Sequence, residues 1–543
     1  MSKELSEMGL EVEYLPIRVN EKILLNIGGG VYSSPAGAIK ELVNNAFDAD
    51  AEQVVISTGY PFFDEIQVMD TGQGMSLERF KMAMVSIGNS MKDTIDPYRV
   101  TQKYKRPIIG RLGIGLMALS QVCDKAMIES RLPEAKTKFL ALIDFTQFRP
   151  NRYERTSLSV LSSQFGGAEA IRHQLAEEGL EPERREELKL RLKLALEADK
   201  MRQLKEIDLQ KQHLGYCMYI PELPVVLPHV HGTTITLLGI RPEIRQMLSD
   251  SSRPLPPPKH VLTPSEEESE ECEDWEDYMS LVQDYSWRDL CERLRIDTEL
   301  TYQTLPSYHQ FLYELAFMSP VPYFDDAPIT MRPEILQQKK KELRRFNFSL
   351  RVDNRLLYKP QLLPSGALSP SADEVIIRPL YFDDYIDGSQ LRYTGYLYWQ
   401  NSQNKPSAIR GIQLYIRNVG IALYDQTLLN FSKVDSSLKV RHISGEIYVE
   451  KGLERALKVD RESFRETDAH YVVLQHQIWK ELRSISSRVT KAEERRKQAQ
   501  FATEQEEHVT TLEKMVTSAT NGARIQAGFA RSRGLQPLWG AHT

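Results

Sequence analysis

The sequence predicts an α/β protein: an α/β N-terminal part, then a strand-rich α+β part, then a charged helical tail. Three observations carry this. Residues 10–165 mix short apolar runs with glycine-rich turns. Residues 346–450 contain FNFSLRVDN, EVIIRPLYF, RYTGYLYWQ, IQLYIRNVGIALY and RHISGEIYVE, all with β-branched or aromatic alternation. Residues 467–515 are highly charged and helical in pattern.

The 543 residues suffice for about three domains, and a hydrophobic share of 41% supports a sizeable core. Lys and Arg number 69 against 75 Asp and Glu, a net charge of −6. The chain as a whole is therefore not a basic nucleic-acid binder, which leaves only a local patch for that role. Cys123, Cys217, Cys272 and Cys291 lack metal-ligand or redox spacing, which argues against a zinc site or a disulfide framework. The opening MSKELSEMGLEVEY is acidic, without the apolar stretch of a signal peptide, and no run of 18 apolar residues occurs. A cytoplasmic location and no membrane partner are expected.

The first informative element is GAIKELVNNAFDADA, residues 37–51. At 100° per residue, Glu41, Asn45 and Asp48 fall within about 60° of one another. Ile39, Leu42, Val43, Ala46 and Phe47 take the opposite side. Asn and Asp are poor interior helix formers, so this short polar stripe is expected to face a site. One Asn carbonyl with phosphates and water suits Mg²⁺, and a carboxylate one turn earlier can polarise water.

Next, IQVMDTGQGM (66–75) reads as a strand ending at Asp70, then a turn with Gly72 and Gly74. A carboxylate there can accept a hydrogen bond from an exocyclic amine of a base, and the glycines give backbone access to ring and phosphates. IGRLGIGLMALSQV follows, with Gly110, Gly113 and Gly115 opening an apolar helix whose first N–H groups suit phosphate. Residues 166–213 are expected to form a solvated helical insertion; from Ile171 to His213 the charges balance at ten of each sign. GTTITL (232–237) sets Thr233 and Thr234 at the head of a strand, where a hydroxyl is expected to help Asp70 hold the base. Residues 250–277, with RPLPPPKH and then SEEESEECEDWED, read as a tether or exposed loop.

These four pieces, in this order, resemble the GHKL ATPase superfamily of gyrase, the ninety-kilodalton heat-shock chaperones, histidine kinases, MutL and MORC proteins. Glu41, Asn45 and Asp48 match E-x-x-x-N-A-x-D-A. Asp70, Gly72 and Gly74 match D-x-G-x-G; Gly110, Gly113 and Gly115 match G-x-x-G-x-G; Gly232 and Thr233 match the last box. No ordinary P-loop, G-x-x-x-x-G-K-[ST], occurs. The resemblance implies a Bergerat-fold α/β sandwich binding ATP and Mg²⁺, with Glu41 as base and Asn45 as the Mg²⁺ ligand. It further carries Met75, Arg111, Leu112, Ile114, Thr233 and Thr234 to the nucleotide. SIGNSMKDT (86–94) is similar to the lid entry of the chaperone and MORC branches. That implies a lid over 87–109, with Ser90 and Lys92 at the nucleotide and Lys103, Lys105 and Arg106 near phosphates.

Glu41 is absent from histidine kinases of this superfamily, so its presence looks like the hydrolytic branch. Residues 412–464 resemble a chaperone middle domain, which implies that Arg461 reaches the γ-phosphate, with Lys405 in NSQNKPS as its rival. The implied organisation is an ATPase domain over 10–245, a linker over 246–278 and a helical connector over 279–343. A transducer-like α+β domain over 344–470 and a helical tail over 471–543 follow. An ATP-dependent homodimer is expected, with a protein client ahead of DNA as the partner.

Overall fold

Helix α1, Pro35–Asp48, is the element around which the site is built. Ser34 caps it by accepting the Gly37 N–H at 3.4 Å, and Pro35 stands at the helix start, where a missing N–H does no harm. Ile39, Leu42, Val43, Ala46 and Phe47 are all buried, as the periodicity predicts. A computed structural model describes α1 together with residues 13–18, 34, 49–85, 99–110, 115–148, 214–224, 231–250, 286–296, 301–324, 334–359, 375–404, 407–431, 438–458 and 462–532. Within the expected insertion it describes only Leu175, Arg185, Leu188 and Lys189, each helical. The acidic 265–277 run lies outside the described residues.

The first sheet uses β1 (Glu13–Arg18), β2 (Gln53–Ser57), β3 (Glu65–Asp70), β4 (Cys123–Arg131), β5 (Thr137–Asp144), β6 (Leu214–Pro224), β7 (Gly232–Ile240), β8 (Ser349–Val352) and β9 (Arg355–Leu357). Its nine strands run β1-β6-β5-β4-β7-β3-β2-β8-β9. Neighbours are antiparallel except β2 and β8, which run parallel. Residues 349–357 therefore extend this first sheet, although their sequence pattern groups them with the later strands. Leu350 and Val352 are fully buried, like Val54 and Ile56 on β2. Pairing covers an apolar β2 edge that would otherwise be open. Asp353 then ties three elements, accepting from Thr58 N–H at 2.7 Å and Tyr308 hydroxyl at 2.6 Å.

Helices α2 (Leu77–Val85), α3 (Pro242–Leu248), α4 (Trp287–Ile296), α5 (Ser307–Met318) and α6 (Glu334–Arg345) accompany the sheets. α5 is buried along most of its length and packs on α1. Ser34 Oγ donates to Glu314 on α5 at 2.6 Å, and the buried Lys40 ammonium donates to Gly420 O at 3.4 Å. Through Lys40, α1 touches the second sheet, made of β10 (Val375–Ile386), β11 (Ser389–Gln400), β12 (Gly411–Ile416), β13 (Val419–Gly420) and β14 (Ile443–Lys451). Its order is β10-β11-β14-β12-β13, with β12 and β14 parallel.

The chain divides into two units after Gln477. Taken by itself, the second unit continues helix α7, Ala469–Ser532, and every residue of 497–525 is exposed. Among the described residues, no helix is long and apolar enough to cross a membrane.

Candidate functional site

Three strand ends meet at Asp70. It is the last residue of β3, opposite Val54 on β2, and its neighbour Met69 lies opposite Thr234 on β7. β7 begins at Gly232 and Thr233, which face Arg131 and Ser130 on β4. Asp70 Oδ1 accepts the N–H groups of Gly72 at 2.7 Å and Thr233 at 3.3 Å. Oδ2 accepts no hydrogen bond among the described residues. Burial pushes this carboxyl up to about 6, although both N–H groups and nearby His231 favour the charged form. A partly desolvated acceptor with one open oxygen is suited to a neutral N–H donor from a ligand.

Two glycines let these strand ends close. Gly74 has φ 66°, and a Cβ there would stand 2.0 Å from Arg131 O. Gly232 has φ 124°, and a Cβ would stand 2.0 Å from Asp70 O. At both positions the close neighbour is the protein's own backbone. Met75 N–H donates to Ser130 Oγ at 2.8 Å, and that oxygen lies 2.9 Å from Thr233 Oγ1. The Thr233 hydroxyl thus engages Ser130, while its backbone N–H holds Asp70. Thr234 sits within the strand, opposite Met69 and Glu129.

The structure adds Ser130 and His231, which sequence reading missed. His231 Nδ1 donates to Gly72 O at 2.8 Å. His231 directly precedes the G-T-T box, a signal available in the sequence. Ser130 belongs to no motif and emerges only from the β4–β7 register.

On α1, Glu41 is buried at 3% exposure, Asn45 is exposed and Asp48 is half-buried. Asp48 reaches the third glycine box: its carboxylate accepts Ile109 N–H at 2.8 Å and Gly110 N–H at 2.7 Å. Gly115 opens a 3₁₀ turn, Gly115–Gln121, in place of the expected apolar helix start. Arg111, Leu112, Gly113 and Ile114 lie outside the described residues, as do Ser90, Lys92, Lys405 and Arg461.

The described end of the expected lid, 99–109, is tied down. Asp50 accepts Lys103 N–H at 2.8 Å and Tyr104 N–H at 3.2 Å, and Lys103 pairs with Glu52 at 2.6 Å. Arg106 is wholly buried. It donates to Phe47 O at 3.1 Å and to Phe346 O at 3.0 and 2.6 Å, with its guanidinium over the Phe47 and Tyr104 rings. A guanidinium so engaged serves as a structural bolt, which corrects its expected place near phosphates.

Fold and site geometry are similar to those of the GHKL class of ATPases. Residues 32–163 match a family model described as histidine kinase-, DNA gyrase B- and HSP90-like ATPase. HgiDII of Herpetosiphon aurantiacus, provisionally named a type II restriction enzyme, is 27% identical over 29% of this chain and 25% of its own. DNA mismatch repair protein MutL of Rippkaea orientalis is 33% identical over 22% of this chain and 19% of its own. MutL of Lactococcus lactis subsp. cremoris is 30% identical over 23% of this chain and 19% of its own. The chain thus spans a quarter or less of the length of these curated relatives. The family match and the MutL likeness support ATP binding and nucleotide-dependent ATPase chemistry in general terms.

Proposed function

We propose that the protein is a Mg²⁺-dependent ATPase whose nucleotide cycle drives a conformational change. The observation that carries this reading is Asp70, half-buried at a junction of three strands, with one carboxylate oxygen open. That oxygen receives the adenine amine. Its partner oxygen is fixed by Gly72 and Thr233, so the acceptor is oriented before nucleotide arrives. Asn45, exposed on α1, fits as a single protein oxygen for Mg²⁺, and Asp48 fixes the approach to the Gly110–Gly115 phosphate turn. The metal, when bound, neutralises phosphate charge. Glu41 lies one helical turn before Asn45 and orients and deprotonates the attacking water. Arg461, ahead of Lys405, is the cation that completes the phosphate contacts.

The output is closure of a dimer around a partner. The sequence pattern favours chaperone-like remodelling of a protein client over an ATP-gated DNA clamp. The names of the relatives, mismatch repair and restriction, favour the clamp. Calorimetry with a non-hydrolysable ATP analogue, with and without Mg²⁺, tests the nucleotide reading; no heat with well-folded protein sinks it. Solution mass with the analogue, run with and without duplex DNA, separates clamp from chaperone.

A further inference from the structure

We propose that a cavity between the lid segment, α6 and the second sheet binds a small phosphate-bearing anion. The cavity has a volume of about 560 Å³, a size that takes a small ligand. Glu41, Asn45, Asp48, Asp70 and Thr233 are not among its lining residues, whereas Lys103 and Lys105, expected near the ATP phosphates, are; these two lysines then belong to a second anion site. Tyr104, Phe346 and Tyr448 contribute aromatic surface.

Charge decides the class of ligand. Five cations line the cavity against two carboxylates, Glu342 and Glu450. Three of the five are matched. Lys339 stands 2.8 Å from Glu342 and 3.6 Å from Glu450. Arg417 pairs with Glu454 at 2.8 Å, and Lys103 with Glu52 at 2.6 Å. The remaining two, Lys105 and Arg345, are exposed and have no carboxylate partner among the described residues.

The matched pairs hold the walls; Asn418 adds a bond to Glu342 at 2.9 Å. The unmatched pair supplies a planar guanidinium fork and a mobile ammonium. Together they suit the several oxygens of a phosphate or pyrophosphate. A concave wall carrying surplus positive charge raises the local anion concentration further.

The test is calorimetry of the full chain with inorganic pyrophosphate, comparing wild type with Lys105→Asn/Arg345→Gln. Asn is chosen because Lys105 has φ 54°, which Asn tolerates. Wild type should bind pyrophosphate, and the double variant should bind at least tenfold more weakly with an unchanged melting temperature. If the double variant melts early, the two single variants are read instead, and each should weaken binding. Absence of wild-type binding, or equal binding in all variants, overturns the proposal. Saturating ATP analogue should leave pyrophosphate affinity unchanged; displacement would assign pyrophosphate to the nucleotide site and overturn the proposal. Parallel titration with short duplex DNA separates sources of phosphate. Duplex binding that needs Lys105 and Arg345, without pyrophosphate binding, overturns the small-anion assignment.

Discussion

Asp48 and Gly110 are joined by a 2.7 Å hydrogen bond from the Gly110 N–H to the Asp48 carboxylate, beside a second from Ile109 at 2.8 Å. The first motif thereby anchors the third: the last acid of the helix stripe holds the chain that leads into the glycine turn.

Removing that anchor should act on nucleotide affinity through the loop. Asp48→Ala should weaken ATP binding by roughly tenfold or more, given about 1.5–3 kcal/mol for charge-assisted bonds. Asp48→Asn keeps one acceptor and should fall between. Because the effect runs through phosphates, adenosine affinity should change little. An equal loss for adenosine and ATP would place Asp48 elsewhere in the mechanism.

Asp70 sets function against stability. Its carboxyl lies near 6 in the folded protein, above the ordinary 3.8. The folded state therefore binds this proton more tightly, and the stability it contributes is lost as pH rises from about 4 through about 6. The difference corresponds to about 3 kcal/mol by pH 7.5. Asp70→Asn, which cannot ionise, should unfold at higher urea than wild type at pH 7.5 without nucleotide. The gain should shrink toward pH 4. The same variant should lose ATP binding, and wild-type affinity should fall as pH drops below about 6. A gain in stability that ignores pH would contradict the burial account.

The α1 helix, the strand ending at Asp70 and the strands of the second sheet were legible because periodicity and turn residues report local structure directly. The addition of β8 and β9 to the first sheet was not. Phe348, Leu350 and Val352 alternate like any strand, and a parallel partner at β2, almost three hundred residues away, leaves no local mark. The site divides the same way. Glu41, Asn45 and Asp70 are visible as residue types at fixed spacing. Ser130 and the Thr233 N–H are visible only once β4 and β7 are in register. Arg106 misleads in isolation, since a basic residue in a polar segment suggests solvent or phosphate. Its burial depends on Phe346 and Asn347, which lie far along the chain.

Glu41 can be tested apart from binding. Glu41→Ala should retain ATP affinity within a few-fold and lower turnover by roughly 10²–10⁴-fold, the range for a lost general base. Single-turnover measurement with the analogue affinity as control gives both values. Unchanged turnover would remove Glu41 as the base.

Arg106 should matter for stability. Replacing it by Met removes donors from the carbonyls of Phe47, Phe346 and Asn347 while keeping some apolar volume. Loss of about 3–5 kcal/mol is expected, as for other broken buried charge networks. Urea unfolding measures it; a change under 1 kcal/mol would show that the bolt is redundant.

The second sheet carries a buried network of a different kind. Glu446, fully buried, accepts hydroxyl donors from Tyr323, Tyr396, Tyr415, Tyr424 and Tyr448. Burial raises its pKa above the usual carboxylate range, while the tyrosine hydroxyls and Lys359 pull it back. Lys359 donates to Phe317 O at 2.7 Å and Ser319 O at 2.8 Å, and burial brings it down to about 7. These bonds join β11, β12 and β14 to the chain after α5, the helix that packs on α1. Glu446→Ala removes the acceptor these hydroxyls share, leaving Tyr323 and Tyr448 only one another at 2.7 Å, and should cost roughly 3–5 kcal/mol. Glu446→Gln keeps an acceptor and should cost less, but it removes the negative charge that favours the protonated, carbonyl-bound form of Lys359. Adding Lys359→Met should therefore recover part of the Gln loss, so the double variant should be more stable than the sum of the singles. Urea unfolding of the four-member cycle measures the coupling. Strict additivity would mean that Lys359 and Glu446 do not sense one another, and the network would then rest on the tyrosines alone.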